Sequence, residues 1–348
     1  MTLLGSAPRP LDVAAAPQWW YARLYTGGVD AIDDVIAELL PSLLAEVRAL
    51  DASRWFFLRY VDPSGPHLRL RVFGPGASLD RLVRVSRDLC THLELIVSAS
   101  RSPRIELVRG ANAAVFAGSG DAVGLRPAVY EPETDKYGGL DGVELAERVF
   151  EFSSELALWG VAEYEKGADR DALAALLLAD GAGALAHGTR AQEWPARRAV
   201  SWLRFWQIHA EWWTGAVFGD ETVRAGLDAH VCAHRSAVME RLRRIAVQPG
   251  VEAWRRRWFR AVDDYLTAAG RLGVPRTPQH LVFHQNHLLM NRLGYLPREE
   301  ALLGLHARDW VALSGDPTTA APRSSPASAS AAASVPRPVP GFATKREN

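Results

Sequence analysis

The segment Gln279-His280-Leu281-Val282-Phe283-His284-Gln285-Asn286-His287 carries three imidazoles. His280, His284 and His287 fall at i, i+4 and i+7, so a helix would present all three on one face. Imidazoles titrate near neutrality and suit general acid–base work or oxyanion binding. A zinc site fits less well. Successive turns would splay the three ligands along ~10 Å of axis, the HExxH pattern is absent, and no carboxylate lies in the run. Histidines packed in a core or between elements would give the same spacing. Asn291-Arg292 follows on the same helix and could orient a carbonyl or an imidazole, and Gln285 is a further candidate for substrate contact.

A second constellation lies in the N-terminal half. His67-Leu68-Arg69-Leu70-Arg71-Val72-Phe73 alternates as a strand,. Leu68, Leu70 and Val72 share one face, while His67, Arg69, Arg71 and Phe73 share the other. Two arginines spaced this way stand ~6.8 Å apart. Their forked donors could hold two carboxylates, or a carboxylate and an amide oxygen. The neighbouring strand adds Arg59 or Tyr60, depending on register. A solvated sheet face with arginines paired to surface acids would show the same pattern.

The elements that must position these residues follow from periodicity and turn chemistry. Trp19–Tyr25, Arg54–Tyr60, His67–Phe73 and Arg104–Arg109 read as strands, with turn residues from Asp62 to Pro66. Asp30–Leu50 and Leu79 to about Ile96 read as helices, with Asp30 as N-cap and a kink or split expected at Pro41. The order β-α-β-β-α-β predicts an α+β fold with a ferredoxin-like antiparallel sheet. A polar loop spans about 110–139. A mainly helical C-terminal region follows, with helices near 140–166, 169–191, 194–215, 220–246, 250–273 and 278–293. Residues 1–16 read as a flexible N-terminus. Residues 17–312 read as one catalytic domain, with an α+β part to about 139 and a helical part beyond it. The Ala/Pro/Ser-rich stretch 313–348 reads as a disordered tail.

Composition narrows the function. The 348 residues contain 40 Lys+Arg and 40 Asp+Glu, so bulk charge gives no reason to expect nucleic acid or membrane binding,. Two distant cysteines, Cys90 and Cys232, make neither a disulfide framework nor a Cys-rich metal site,. With no signal-peptide pattern or long apolar run, a cytoplasmic protein is the expectation. No Walker A, GxGxxG or GxSxG motif is present,. What remains is acid–base and electrostatic chemistry without a cofactor or metal. Twelve tryptophans, among them Trp202 and Trp206, give either a Trp-rich core or an aromatic wall for a flat ligand,.

Several segments together resemble a known family. They are Trp20-Tyr21-Ala22-Arg23-Leu24-Tyr25, Trp55-Phe56-Phe57-Leu58-Arg59-Tyr60-Val61-Asp62-Pro63 leading into His67–Arg71, Tyr130-Glu131-Pro132-Glu133 with Tyr137-Gly138-Gly139, and His287 with Asn291-Arg292-Leu293. Between about Trp19 and Trp310 the chain resembles the thiopeptide-type bacteriocin biosynthesis domain, the C-terminal elimination part of lantibiotic dehydratases, which also occurs as stand-alone proteins. The combination is specific, although no single motif is. The resemblance implies one of two activities. Elimination members remove glutamate from glutamylated Ser or Thr. Pyridine synthases join two dehydroalanines in a formal [4+2] aza-cycloaddition, with loss of water and of the leader peptide. Elimination members often read Tyr-x-Arg-Glu-x-x-Arg-Tyr-Gly-Gly. Here the two arginine positions are Pro132 and Lys136, which favours the cyclase.

On that reading the partner is a ribosomal precursor peptide with a leader and a thiazole- and dehydroalanine-bearing core, alongside other thiopeptide-maturation enzymes. No cofactor, nucleic acid or membrane is implied. His284 or His287 would act as acid or base, with Glu133 as a further base. Tyr60, Tyr130 and Tyr137 would donate hydroxyls. His67, Arg69, Arg71 and Arg292 would bind carbonyl oxygens or acidic leader residues, and Trp202, Trp206, Gln285 and Asn291 would contact substrate. A non-catalytic leader-binding scaffold is the alternative from a different class.

Overall fold

The computed structural model describes residues 17–49, 52–100, 122–216 and 221–314. Four strands form an antiparallel sheet: β1 (Pro17–Thr26), β2 (Arg54–Asp62), β3 (Gly65–Pro75) and β4 (Val123–Pro127). Their order, β2-β3-β1-β4, is that of a ferredoxin-like sheet,. The expected Arg104–Arg109 strand lies outside the described residues. The fourth strand of the sheet, β4, comes instead from the stretch read as loop. Gly124 and Pro127 obscured it in the sequence. Both are tolerable because β4 pairs on one side only, against Ala22–Thr26 of β1,.

Alternation decides what each sheet face meets. Trp20, Ala22, Leu24, Trp55, Phe57, Leu68, Leu70 and Val72 pack into one buried core with the helices of the α+β part. Those helices are α1 (Ala31–Asp34), α2 (Leu40–Ala49) and α3 (Gly76–Ala99). A π turn, Val35–Leu39, joins α1 to α2. It sits just before Pro41, where the missing amide hydrogen would break an α ladder, so the anticipated kink takes the form of a widened turn. The register β2↔β3 puts Tyr60 opposite His67, on the arginine face. Arg59 is thereby turned to the helix side.

The helical part comprises α4 (Thr134–Tyr137), α5 (Leu140–Glu163), α6 (Ala168–His187), α7 (Trp202–Glu211), α8 (Glu221–Ala246), α9 (Pro249–Arg271), α10 (Pro278–Leu293) and α11 (Pro297–Ser314). The Ala/Leu-rich α6 is buried over most of its length and packs against α8, α9, α10 and α11. The expected helix 194–215 is broken. A 3-10 turn at Pro195–Arg198 precedes α7, whose N-cap Ser201 accepts from the Arg204 amide, and a π turn at Trp212–Ala216 follows. Helix α11 was not anticipated. Its inward face mixes Ala301, Leu302, Leu303 and Leu305 with buried Glu299, Glu300, His306 and Asp309, so its apolar periodicity is weak,.

One carboxylate ties the two parts together. Asp33 on α1 accepts from Arg59 Nη1 at 2.5 Å and from Arg170 Nη1 on α6 at 2.6 Å. Burial alone would raise the Asp33 carboxyl, but the two guanidinium charges outweigh it and hold it well below the usual carboxylate range,. This stabilisation is complete above the unfolded pKa of about 3.9 and is lost as pH falls below it. Asp33→Asn removes the carboxylate that two largely buried guanidiniums share. It is expected to cost about 3–5 kcal/mol and to lower the melting temperature by ~5–15 °C in a thermal scan.

Candidate active site at the sheet–helix seam

Strand β2 is an edge strand, with no further strand covering it among the described residues. Side chains from α5 and α10 take the place of one. Ser154 Oγ accepts from the Phe57 amide at 3.2 Å, and Glu151 Oε1 from the Trp55 amide at 3.3 Å. Asn291 accepts from the Arg59 amide and donates to the Arg59 carbonyl, both at 3.0 Å. Arg292 Nε donates to the Phe57 carbonyl at 2.9 Å and to Ser154 Oγ at 3.0 Å. An amide, a hydroxyl and a guanidinium thus satisfy an edge that would otherwise be buried unpaired.

This seam fixes Arg292 but does not exhaust it. The side chain is wholly buried, and neither Nη1 nor Nη2 has an acceptor among the described residues. Its guanidinium carbon stands 5.4 Å from the Phe150 ring centroid. Burial pulls its pKa down to about 9. Arg71 opposes it from the sheet. That guanidinium, 7% exposed, is boxed by Tyr21, Tyr130 and Phe56 at 4.6, 4.9 and 5.3 Å. Its Nε also lacks an acceptor, and no carboxylate among the described residues pairs with it. Burial lowers its pKa too, and the two cations repel.

Hydroxyls and an imidazole complete the cluster. Tyr137 is buried against Phe150 and near His284, with ring centroids 5.4 and 6.4 Å away. Its Oη has no partner among the described residues, and burial raises its pKa well above the usual phenol value. The following turn requires glycine. Gly138 has φ +81°, and a Cβ there would lie 2.8 Å from Val274 Cγ1. Tyr130 Oη donates to Glu147 Oε1 at 2.8 Å, and Glu147 also holds Arg54 at 2.7 Å. Burial, reinforced by Glu147, raises the Tyr130 hydroxyl. His284 is driven well below its ordinary pKa by burial and then by Lys136, His280 and His287, so it is neutral at pH 7. Its Nδ1 has no partner among the described residues. Glu133, ion-paired to Lys136 at 3.1 Å, stands at the exposed rim.

The structure therefore brings together Arg71, Tyr130, Glu133, Tyr137, His284 and Arg292, from β3, α4, α10 and the segment leading into α4. Gln285 is wholly buried beside Tyr265. Other candidates are placed elsewhere. Asn291 is engaged by the β2 backbone. His287 Nδ1 and His209 Nε2 lie 2.7 and 3.2 Å from the two oxygens of Glu300. Burial would raise Glu300, but the two histidines hold it down to about 2. Trp206 is wholly buried, and Trp202 Nε1 donates to the Arg308 carbonyl on α11. Arg69 stacks on Tyr60 at 3.3 Å. His67 lies buried between Tyr25 and Tyr60, and its pKa falls to about 4 through burial.

Trp19, Tyr21, Phe56 and Phe150, which wall the cluster, were not identified from sequence. The odd-numbered aromatic alternation of β1 was the available signal. Phe150 and Glu147 could be linked to the sheet only through the seam. Two surface hollows of ≈ 260 and ≈ 750 Å³ lie on the helical part, and neither includes a residue of this cluster. Among the described residues no group of three or more His, Cys, Asp or Glu side chains is placed to hold a metal ion.

Chemically, the cluster sets donors without an acceptor among the described residues, on Arg71, Arg292 and Tyr137, beside a neutral imidazole and the Glu133 carboxylate at the rim. Each buried unpaired donor costs roughly 1–3 kcal/mol, a cost that an incoming carbonyl oxygen or carboxylate would relieve. Tyr137→Phe separates stability from chemistry. The orphaned hydroxyl is removed, so the melting temperature should stay the same or rise by a few degrees. Turnover should fall by about 10²-fold or more if this donor meets developing charge. A clear loss of thermal stability would show instead that the hydroxyl is internally satisfied.

The family model described as lantibiotic biosynthesis dehydratase C-term matches residues 19–310. No curated protein matches the chain. Among solved structures, the fold is similar to that of the pyridine synthase TbtD from thiomuracin biosynthesis. That match has 20% identity and a TM-score of 0.58, and covers 85% of this chain and 98% of that one. TsrL matches at 18% identity and a TM-score of 0.58, over 86% and 96%. The tRNA-dependent lantibiotic dehydratase MibB from Microbispora sp. 107891 matches at 20% identity and a TM-score of 0.48, over 87% of this chain. The chain spans 28% of that protein's length. By the family match over residues 19–310, the chain belongs to the lantibiotic biosynthesis dehydratase C-terminal family.

Proposed function

We propose that the chain is a pyridine synthase acting on a ribosomal peptide that carries two dehydroalanines. The observation that carries this reading is the buried donor set of Arg71, Arg292 and Tyr137, with no acceptor of its own. In the cyclisation an amide next to one dehydroalanine becomes an iminol, so its oxygen gains a proton while its nitrogen loses one. Donors aimed at that oxygen favour the tautomer. The two alkene termini then join, and the iminol carbon bonds to the α-carbon of the second dehydroalanine. Water leaves from the former iminol carbon. The leader leaves as a carboxamide from the α-carbon of the second dehydroalanine, each departure takes a proton from a neighbouring ring CH2, and the ring becomes aromatic. Holding both alkenes together in one pocket supplies rate by proximity. A neutral His284 suits proton transfer, because it can accept at one ring nitrogen and donate from the other. The half-buried Trp19 and Tyr130 rings offer aromatic surface for thiazole rings,.

Two further features support the cyclase. Pro132 and Lys136 stand where elimination members often carry arginine. The fold match extends over nearly all of the pyridine synthase TbtD. Glutamate elimination is the second reading, because Arg71 and Arg292, which have no paired carboxylate among the described residues, would also hold a glutamyl carboxylate.

Mass spectrometry of a leader-bearing thiazole peptide with two dehydroalanines decides between them. The expected product is lighter by one water and by the leader carboxamide, with no cofactor added. An unchanged peptide, together with glutamate release from a glutamylated substrate, would transfer the assignment to elimination. Tight leader binding with neither reaction would leave a peptide-binding scaffold.

A further inference from the structure

The sheet face that carries Arg71 also sets three other arginines abreast. Arg23 on β1 lies directly opposite Arg69 on β3 and Arg126 on β4. Neighbouring strands lie ~4.8 Å apart, so the row spans ~10 Å. Like charges placed directly opposite on a sheet are destabilising, and an anion bound across the row would relieve that repulsion. Asp62 is the acid that reaches the row among the described residues. It accepts from Tyr25 Oη at 2.7 Å and from Arg23 Nη1 at 3.4 Å. Arg69 and Arg126 have no carboxylate partner among the described residues. Their guanidiniums lie instead on aromatic rings, Arg69 3.3 Å from the Tyr60 centroid and Arg126 4.7 Å from that of Tyr25. Arg126 Nη1 also donates to Ser64 Oγ at 3.1 Å, and a guanidinium over a ring can still offer further N–H donors to a carboxylate.

Two further observations point to a ligand. The buried Nε atoms of Arg23 and Arg69 have no acceptor, and the same is true of Arg71, two positions along β3 and 7% exposed. The row is also reachable, since Arg126 is exposed and Tyr60 is 38% exposed. A row ~10 Å long with an aspartate inside it is small for a polynucleotide, which needs an extended basic surface. It suits a few carboxylates on an extended peptide.

We infer that Arg126, Arg23 and Arg69 form a docking subsite for a carboxylate-rich stretch of the peptide substrate, which the row holds beside the Arg71 cluster. The inference rests on the reading that the substrate is a peptide. It adds a recognition element outside the reacting cluster and predicts that acidic residues next to the modified segment raise affinity.

Fluorescence anisotropy with the full chain tests it. The probes are a dye-labelled peptide of alternating Glu and Ala and its Gln counterpart. The Glu peptide should bind, weaken with added salt and outcompete the Gln peptide. Arg126→Gln, an exposed change with little risk to folding, should weaken Glu-peptide binding about 5- to 10-fold. The Arg23→Gln, Arg126→Gln double variant should weaken it further, and Arg257→Gln on α9 should leave it unchanged. Equal binding of the Gln peptide would overturn the inference, as would unchanged binding by an Arg126→Gln variant with a normal melting curve. Displacement of the Glu peptide by single-stranded RNA at equal charge would also overturn it and assign the row to a polynucleotide. The probe contains no dehydroalanine. Failure here therefore leaves the cyclisation result untouched, and failure of cyclisation leaves the row intact.

Discussion

The unpaired edge of β2 is the constraint on which the rest of the structure depends. A buried strand edge must find partners for its amides and carbonyls. Here Ser154, Asn291 and Arg292 supply them, which forces α5 and α10 against the sheet. The same strand carries Arg59 to Asp33, and Asp33 reaches Arg170 on α6. Sheet and helices are therefore joined by directional polar contacts as well as by apolar burial. The orientation of Arg292 follows, because its Nε is committed to β2 and its two Nη groups must face away from the strand.

Two buried polar clusters on either side of α10 show how differently such groups can be treated. Around Glu300, both carboxylate oxygens meet an imidazole, and the acid is held far down the pH scale. That cluster is satisfied and reads as architecture. Around Arg292, the Arg71 and Arg292 guanidiniums have no paired carboxylate among the described residues, the Tyr137 phenol has no acceptor there, and an imidazole is kept neutral. Burial makes each of these groups less stable in isolation. Unsatisfied groups of this kind gather at sites where a ligand completes the network. The glycine turn after Tyr137 and the aromatic box around Arg71 hold the incomplete network in place.

Much of the α+β architecture was legible because strand alternation and turn residues are local signals. His67–Phe73 showed its two faces directly, and the order of elements implied the sheet. The fourth strand was hidden because an edge strand can carry glycine and proline. Helix α11 was hidden because Glu299, Glu300 and His306 interrupt its apolar face. Within the site, Arg71, Tyr137, His284 and Arg292 were identifiable as chemistry-bearing residues. That they converge, while His287 turns to Glu300 and Asn291 to a backbone, depends on the β2 seam. The seam joins residues 96 to 235 positions apart, beyond the reach of periodicity.

The central claim is that Arg71, Arg292 and Tyr137 await an oxygen of the substrate. A crystal structure with an unreactive peptide, alanine replacing both dehydroalanines, tests it most directly. The account predicts a substrate carbonyl oxygen within about 3 Å of Arg292 Nη or Tyr137 Oη, with the Asn291 and Ser154 contacts to β2 unchanged. A peptide seated elsewhere, with these donors satisfied by the chain's own side chains, would contradict it.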